Sequence, residues 1–222
     1  AGTVLNSSDS FRIQLKGQQT HGSAPWSGND PIVTSQGIIA AMQTLVSRRI
    51  DLTKGMGVIS VGTINAGSAA NIIPETLEMT GTIRTNNADI RDSILQKMPP
   101  LVSGIASAYG TEAKLLLVNN APVTINDPTL TEAMVPAMKL AAPGKVQRLE
   151  SSLSPSEDFS YYAQKVPGLF VFLGATPEGQ DMSKAPNNHS PYFTVDEATF
   201  ATGVKAHVQF VLNYPDRAKG KS

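Results

Sequence analysis

SFRIQLKG, residues 10–17, decides how the first half of the chain is read. Phe11, Ile13 and Leu15 fall on one face of an extended chain, and Arg12, Gln14 and Lys16 fall on the other. A period of two marks a strand with one face buried and one wet. Beyond a polar loop, Asp30-Pro31 supplies an N-cap and a proline at the first helical position, opening a helix through about Arg49. GVISVGTINAG (57–67) and ETLEMTGTIRT (75–85) follow as two strands. In the second, Leu77, Met79 and Ile83 alternate with Thr76, Glu78, Thr80, Thr82 and Arg84. Residues 88–108 read as a helix bent at Pro99-Pro100, and AKLLLVN (113–119) closes the unit as a strand. The order β-α-β-β-α-β predicts a ferredoxin-like domain, an antiparallel sheet with two helices on one face.

The second half, from about Ala121, reads as α/β with too few elements for a complete sheet. Asp127-Pro128 is another cap-plus-proline helix start, followed by a short strand expected over 146–149. Residues 154–157, SPSE, fit a capping box with Ser154 as N-cap and Glu157 reaching back. GLFVFLGA (168–175) is a continuous apolar run between glycines, which predicts a strand buried on both faces of a mostly parallel sheet. A long helix is expected from about Val195 to Leu212, ending before Tyr214-Pro215.

Composition narrows the function classes. The 222 residues are 41% apolar, enough for one large or two smaller globular domains, and 18 basic residues balance 18 acidic ones. No global field draws this chain to nucleic acid or anionic lipid. It has no cysteine, hence neither disulfides, a thiolate nucleophile nor a cysteine zinc site. No apolar run reaches the length of a membrane span. The first ten residues lack the basic start and apolar stretch of a signal peptide, as a mature secreted chain also would. Cytoplasm and periplasm both stay open.

Chemistry must therefore come from a few polar residues, each with a plain structural reading beside the functional one. His189, one of three histidines, sits in NNHSPYF (187–193), where spacing alone suggests a solvated turn. His21 follows the first strand in THGSAPW (20–26) and reads as a turn residue in a Gly- and Pro-containing loop. His207 has no motif around it and reads as structural. Asn71 could cap a turn, Arg84 could be a solvated residue on a polar strand face, and Gly174 could serve only a strand end. Glu157 and Asp158 read mainly as helix-start residues.

THGSAPW, SAANIIPE (68–75), GTIRT (81–85), SPSEDFSYY (154–162), FLGA (172–175) and NNHSPYF occur in one order along nearly the whole chain. Together they resemble the C-terminal two-thirds of the M20 family of metal-dependent amidohydrolases and peptidases, closest to the hippurate-hydrolase-like aminoacylase and carboxypeptidase group. Singly each motif is weak; in register they are specific. The resemblance implies a ferredoxin-like βαββαβ lid, or dimerisation, domain over residues 10–120. The C-terminal part of an α/β zinc-hydrolase catalytic domain would follow over 121–222. It implies two zinc ions per complete subunit, with His189 as one ligand. Such a site needs several nitrogen and oxygen ligands and a general base for the metal-bound water. This chain has no His-x-Asp segment and no Glu-Glu pair.

The sequence is thus expected to be part of a longer enzyme, inactive by itself. The resemblance further implies that His21 reaches from the lid of one subunit into the site of the other and donates to the oxyanion. Arg84 and Asn71 would grip the substrate carboxylate, and Gly174 would let substrate approach the backbone. The expected reaction is hydrolysis of an amide bond in an N-acyl amino acid or small peptide by a homodimer paired through the lid. The alternative is a non-catalytic dimerisation or binding module.

Overall fold

The computed structural model describes residues 1–214. A short strand β1 (Gly2–Leu5) leads into β2 (Ser8–Lys16), the strand read from the alternation at 10–17. Phe11, Ile13 and Leu15 are buried, while Arg12, Gln14 and Lys16 are exposed. A two-residue strand β3 (Thr20–His21) and a 3-10 turn (Pro25–Ser27) precede helix α1 (Pro31–Arg49). The Asp30 carboxylate caps that helix, accepting from Ile32 N at 2.7 Å and Val33 N at 3.2 Å. Next come β4 (Gly57–Ala66), β5 (Ile72–Ile73) and β6 (Thr76–Thr85). Helix α2 (Ala88–Ala108) is capped by Asn87 and continues through Pro99 and Pro100. Both prolines are exposed, so the helix carbonyls they leave without N–H partners can be hydrated. Strand β7 (Glu112–Ala121) completes the pattern.

Four of these strands form an antiparallel sheet in the order β4-β6-β2-β7. This is the ferredoxin-like arrangement expected from the element order. One face carries the core: Phe11, Ile13 and Leu15 of β2 and Leu77, Met79 and Ile83 of β6 meet Ile38, Met42 and Leu45 of α1 and Ile94, Met98 and Val102 of α2. The opposite face is polar, with Glu78 accepting from Arg12 at 3.3 Å and Gln14 at 3.0 Å.

Two features of this core escape the alternation pattern. Gly81 interrupts the apolar series of β6 opposite Phe11. A Cβ there would lie 2.3 Å from the Phe11 ring and 2.1 Å from the Ser60 carbonyl, so the ring occupies the place of the missing side chain. Asp9, one alternation step before Phe11, is completely buried and pairs bidentately with Arg91 at 2.7 and 2.8 Å. The carboxylate holds the Arg91 guanidinium above its ordinary pKa, chiefly through these hydrogen bonds. This pair ties the start of α2 to the central strand.

The chain divides into two units, one comprising residues 3–125 and 151–165 and the other residues 1–2, 126–150 and from 166 onward. In the first, β1 forms a two-stranded sheet with β8 (Thr124–Asn126). The irregular segment 151–157 bridges to β1 at Leu153: Leu153 N donates to Val4 O at 2.9 Å and Asn6 N to Leu153 O at 3.1 Å. The capping box read at 154–157 therefore does not form. Backbone pairing holds Ser154 outside any helix, and the short helix α4 (Phe159–Ala163) starts later. Glu157 instead accepts from the next amide, Asp158 N, at 3.1 Å.

In the second unit, α3 (Pro128–Ala141) is capped by Asp127, as its sequence predicts, and packs on α5 (Ala198–Asn213). Helix α5 begins a few residues later than expected, after Asp196 accepts from Ala198 N at 3.0 Å. The strand expected at 146–149 is an irregular segment. Residues 168–175 are not a doubly buried strand either: Val171, Phe172 and Leu173 are 57%, 48% and 46% exposed. A buried strand needs a hydrogen-bonded neighbour on each edge, and no strand among the described residues pairs with this run. Its holds on the chain include the Asn126 side-chain amide, which exchanges two hydrogen bonds with Phe170 at 2.7 and 2.8 Å, and Asp127 N, which donates to Gly168 O at 2.9 Å.

Arg91→Ala would strand the buried Asp9 carboxylate and is expected to cost about 3–5 kcal/mol in chemical denaturation. Replacing both partners by leucine should recover most of that loss, because no unpaired charge then remains. A single mutant as stable as the parent would show that the pair does not hold α2 to β2.

Candidate functional site

The loop carrying His21 is closed at its base by reciprocal backbone bonds, Gln18 N to Asn29 O at 3.0 Å and Asn29 N to Gln18 O at 3.1 Å. Gly28 allows this closure: a Cβ there would lie 2.5 Å from Gln18 O. Inside the loop, Ala24 N donates to His21 O at 2.8 Å and Thr20 Oγ1 to Ala24 O at 3.1 Å. The loop is joined to Asn71, because β3 pairs with β5 and Gly22 N donates to Asn71 O at 2.8 Å. His21 and Asn71, far apart in sequence, are thus neighbours, and both are exposed. The single tryptophan, Trp26, projects from the same loop with 82% of its surface exposed.

Arg84 lies elsewhere. The His21 loop follows the end of the sheet where Lys16 faces Thr76, whereas Arg84 sits near the other end of β6, opposite Val58. From Thr76 to Arg84 the strand runs roughly 26 Å at about 3.3 Å per residue. One small molecule cannot span that distance. The Arg84 side chain points to the polar face, where Nη1 donates to Ser156 Oγ at 3.3 Å. Ser156 belongs to the irregular segment that bridges to β1 at Leu153, and its proximity to Arg84 could not be read from the sequence.

Gly174 and His189 are in the second unit. A Cβ on Gly174 would meet nothing within 4 Å, so open space adjoins this backbone. His189 is exposed in a turn closed by Ser190 N donating to Asn187 O at 3.0 Å. It is the one non-glycine residue with positive φ among those described, at 78°. That conformation costs an L-residue roughly 1–2 kcal/mol and recurs at functional sites. His207 Nδ1 meets the carbonyl of Gly203, one turn back on α5, at 2.9 Å. The grooves on the polar sheet face, the larger of ≈ 780 Å³, include none of His21, Asn71, Arg84, Gly174 and His189.

Among the described residues no group of three or more His, Asp or Glu side chains could hold a metal ion. The residues present do not by themselves make a metal centre.

Residues 5–108 match the family described as peptidase dimerisation domain, M20_dimer. Residues 5–108 are an M20 peptidase dimerisation domain. The chain is 34% identical over 217 residues to thermostable carboxypeptidase 2 of Saccharolobus solfataricus, covering 97% of this chain and 54% of that protein. It is 32% identical over 197 residues to N-acetyl-L-cysteine deacetylase of Bacillus subtilis, covering 88% and 45%. The crystal structure of the Bacillus subtilis YxeP protein, described as a dinuclear metal binding peptidase from the M20 family, superposes with a TM-score of 0.70 at 28% identity. That match covers 96% of this chain and 51% of the other. The homologues are M20 hydrolases, and the chain spans about half the length of the curated relatives it matches.

Relieving the backbone strain separates a working His189 from a passive one. His189→Gly should leave the chain as stable or up to about 1 kcal/mol more stable, since glycine accepts positive φ without cost. Thermal unfolding would check this, and a clear loss of stability would mean that the imidazole itself holds the turn.

Proposed function

We propose that the complete protein of which this chain forms part hydrolyses the amide bond of N-acyl amino acids or small peptides, as a homodimer paired through the lid. The names carboxypeptidase and N-acetyl-L-cysteine deacetylase both describe cleavage of an amide bond at an amino acid. The observation that carries the dimeric site is the separation of His21 and Asn71 from Arg84 by the length of β6. If these residues serve one substrate, they must come from two copies, Arg84 from one and the His21 loop from the other.

In this reading residues 10–120 are the lid and 121–222 return to the catalytic domain. Arg84 binds the substrate carboxylate with its planar pair of donors, and Asn71 adds an amide hydrogen bond. The His21 ring donates to the carbonyl oxygen as negative charge develops there. Gly174 leaves room for substrate against the backbone. His189 contributes one ligand to a metal site, taken as two zinc ions, whose other ligands and general base lie outside these residues. The apolar surface of α5, with Phe200, Val204, Val208 and Val211 exposed, supports this reading, since patches of this kind are normally covered in a complete domain.

Subunit mixing tests the shared site. In the full-length enzyme, His21→Ala should lower kcat by about two to three powers of ten, and His189→Ala should abolish activity. Exchange between the two inactive dimers should restore about one quarter of wild-type activity, because each heterodimer regains one intact site. Hybrids with no recovered activity would exclude a site shared across the lid. A full-length protein that hydrolyses no N-acyl amino acid or peptide would favour the non-catalytic dimerisation module.

A further inference from the structure

The ring of His21 is not presented to solvent in an arbitrary state. Ser23 N lies 3.1 Å from His21 Nδ1 and donates to it, and Ser23 Oγ lies 2.7 Å from the same nitrogen. A backbone amide has only a hydrogen to give, so Nδ1 must offer a lone pair. With Nδ1 bare, the proton of the neutral ring is on Nε2. The Ser23 hydroxyl can rotate to donate as well, whereas the amide cannot reverse its role. The neighbouring bonds fix this amide: Ala24 N is held by His21 O at 2.8 Å, and Gly22 N by Asn71 O at 2.8 Å.

We propose that Ser23 is a positioning residue that locks His21 as the neutral Nε2–H tautomer, so that the ring enters the reaction as a fixed hydrogen-bond donor and not as a base. The proposal rests on the reading of His21 as the donor to the oxyanion. In that role the useful atom is a proton already on Nε2, which requires no reorganisation when the substrate oxygen becomes charged. A ring protonated on Nδ1 would set two N–H groups against each other at Ser23 and present a lone pair to the oxyanion. Amide and hydroxyl thus select the orientation and the tautomer together, as partners of a histidine's second nitrogen do elsewhere.

The tautomer can be measured on this 222-residue chain without any activity. Long-range proton–nitrogen NMR at a pH where the ring is neutral should show an unprotonated Nδ1 and a protonated Nε2. A nitrogen–nitrogen coupling should connect the Ser23 amide to Nδ1. A populated Nδ1–H tautomer, or absence of the coupling, would overturn the proposal. In the full-length enzyme, Ser23→Ala should lower kcat about tenfold with KM unchanged, a fraction of the effect of removing an oxyanion donor outright. Ser23→Thr, which keeps the hydroxyl, should restore most of it. Ser23→Ala keeps the backbone amide, so unchanged kcat there together with a large loss in His21→Ala would reject the hydroxyl's share in positioning and leave the His21 reading standing, while the NMR measurement decides the tautomer. Unchanged kcat in His21→Ala would reject both.

Discussion

Strand β2 is hydrogen-bonded along both edges, to β6 and to β7, and the ferredoxin-like unit depends on this central placement. Its alternation settles which face of the sheet is dry. A slip of one residue would put Arg12, Gln14 and Lys16 under the helices and Phe11, Ile13 and Leu15 in water. The Asp9–Arg91 pair reinforces the same choice at the end of the strand, because a buried carboxylate tolerates no position other than opposite its guanidinium. Gly81 completes the register, since only a residue without a side chain lets the Phe11 ring lie across β6.

A sheet fixed in this way leaves its polar face and its two ends for other work. The polar residues singled out in the sequence are distributed accordingly: the His21 loop and Asn71 follow one end, and Arg84 lies near the other. They add nothing to the core, which explains why such polar residues can be exposed without harm to folding. Residues 5–108, which hold all three, match a peptidase dimerisation domain. The short, internally bonded loop then presents an oriented imidazole and an exposed indole on a rigid support.

The second unit is organised differently. Asp127 starts α3 and Asp196 precedes α5, so its helices have well-made beginnings. Among the described residues, its apolar run at 168–175 nevertheless has no strand beside it, and α5 has no buried residue. Local signals suffice to form helices, because helical hydrogen bonds are internal to the segment. A strand has no such independence; its backbone groups are satisfied only by other segments.

That difference separates what could be read in the sequence from what could not. Periodicity and caps determined the four long strands, helices α1 to α3 and the βαββαβ order, because side-chain alternation and Asx-Pro caps act within a few residues. Six motifs in register pointed to the M20 family and to His21, Asn71, Arg84, Gly174 and His189. Only the tertiary structure decided the rest: Ser154 losing its helix to backbone pairing with β1, Asp9 buried against Arg91, Phe11 lying over Gly81, and the wide gap between Arg84 and the His21 loop. The fine geometry at His21 Nδ1 belongs there too, although Ser23 is only two positions away. Sequence spacing says which groups can meet, but the direction of a hydrogen bond, and with it the place of a proton, is fixed only when the backbone has been folded around them.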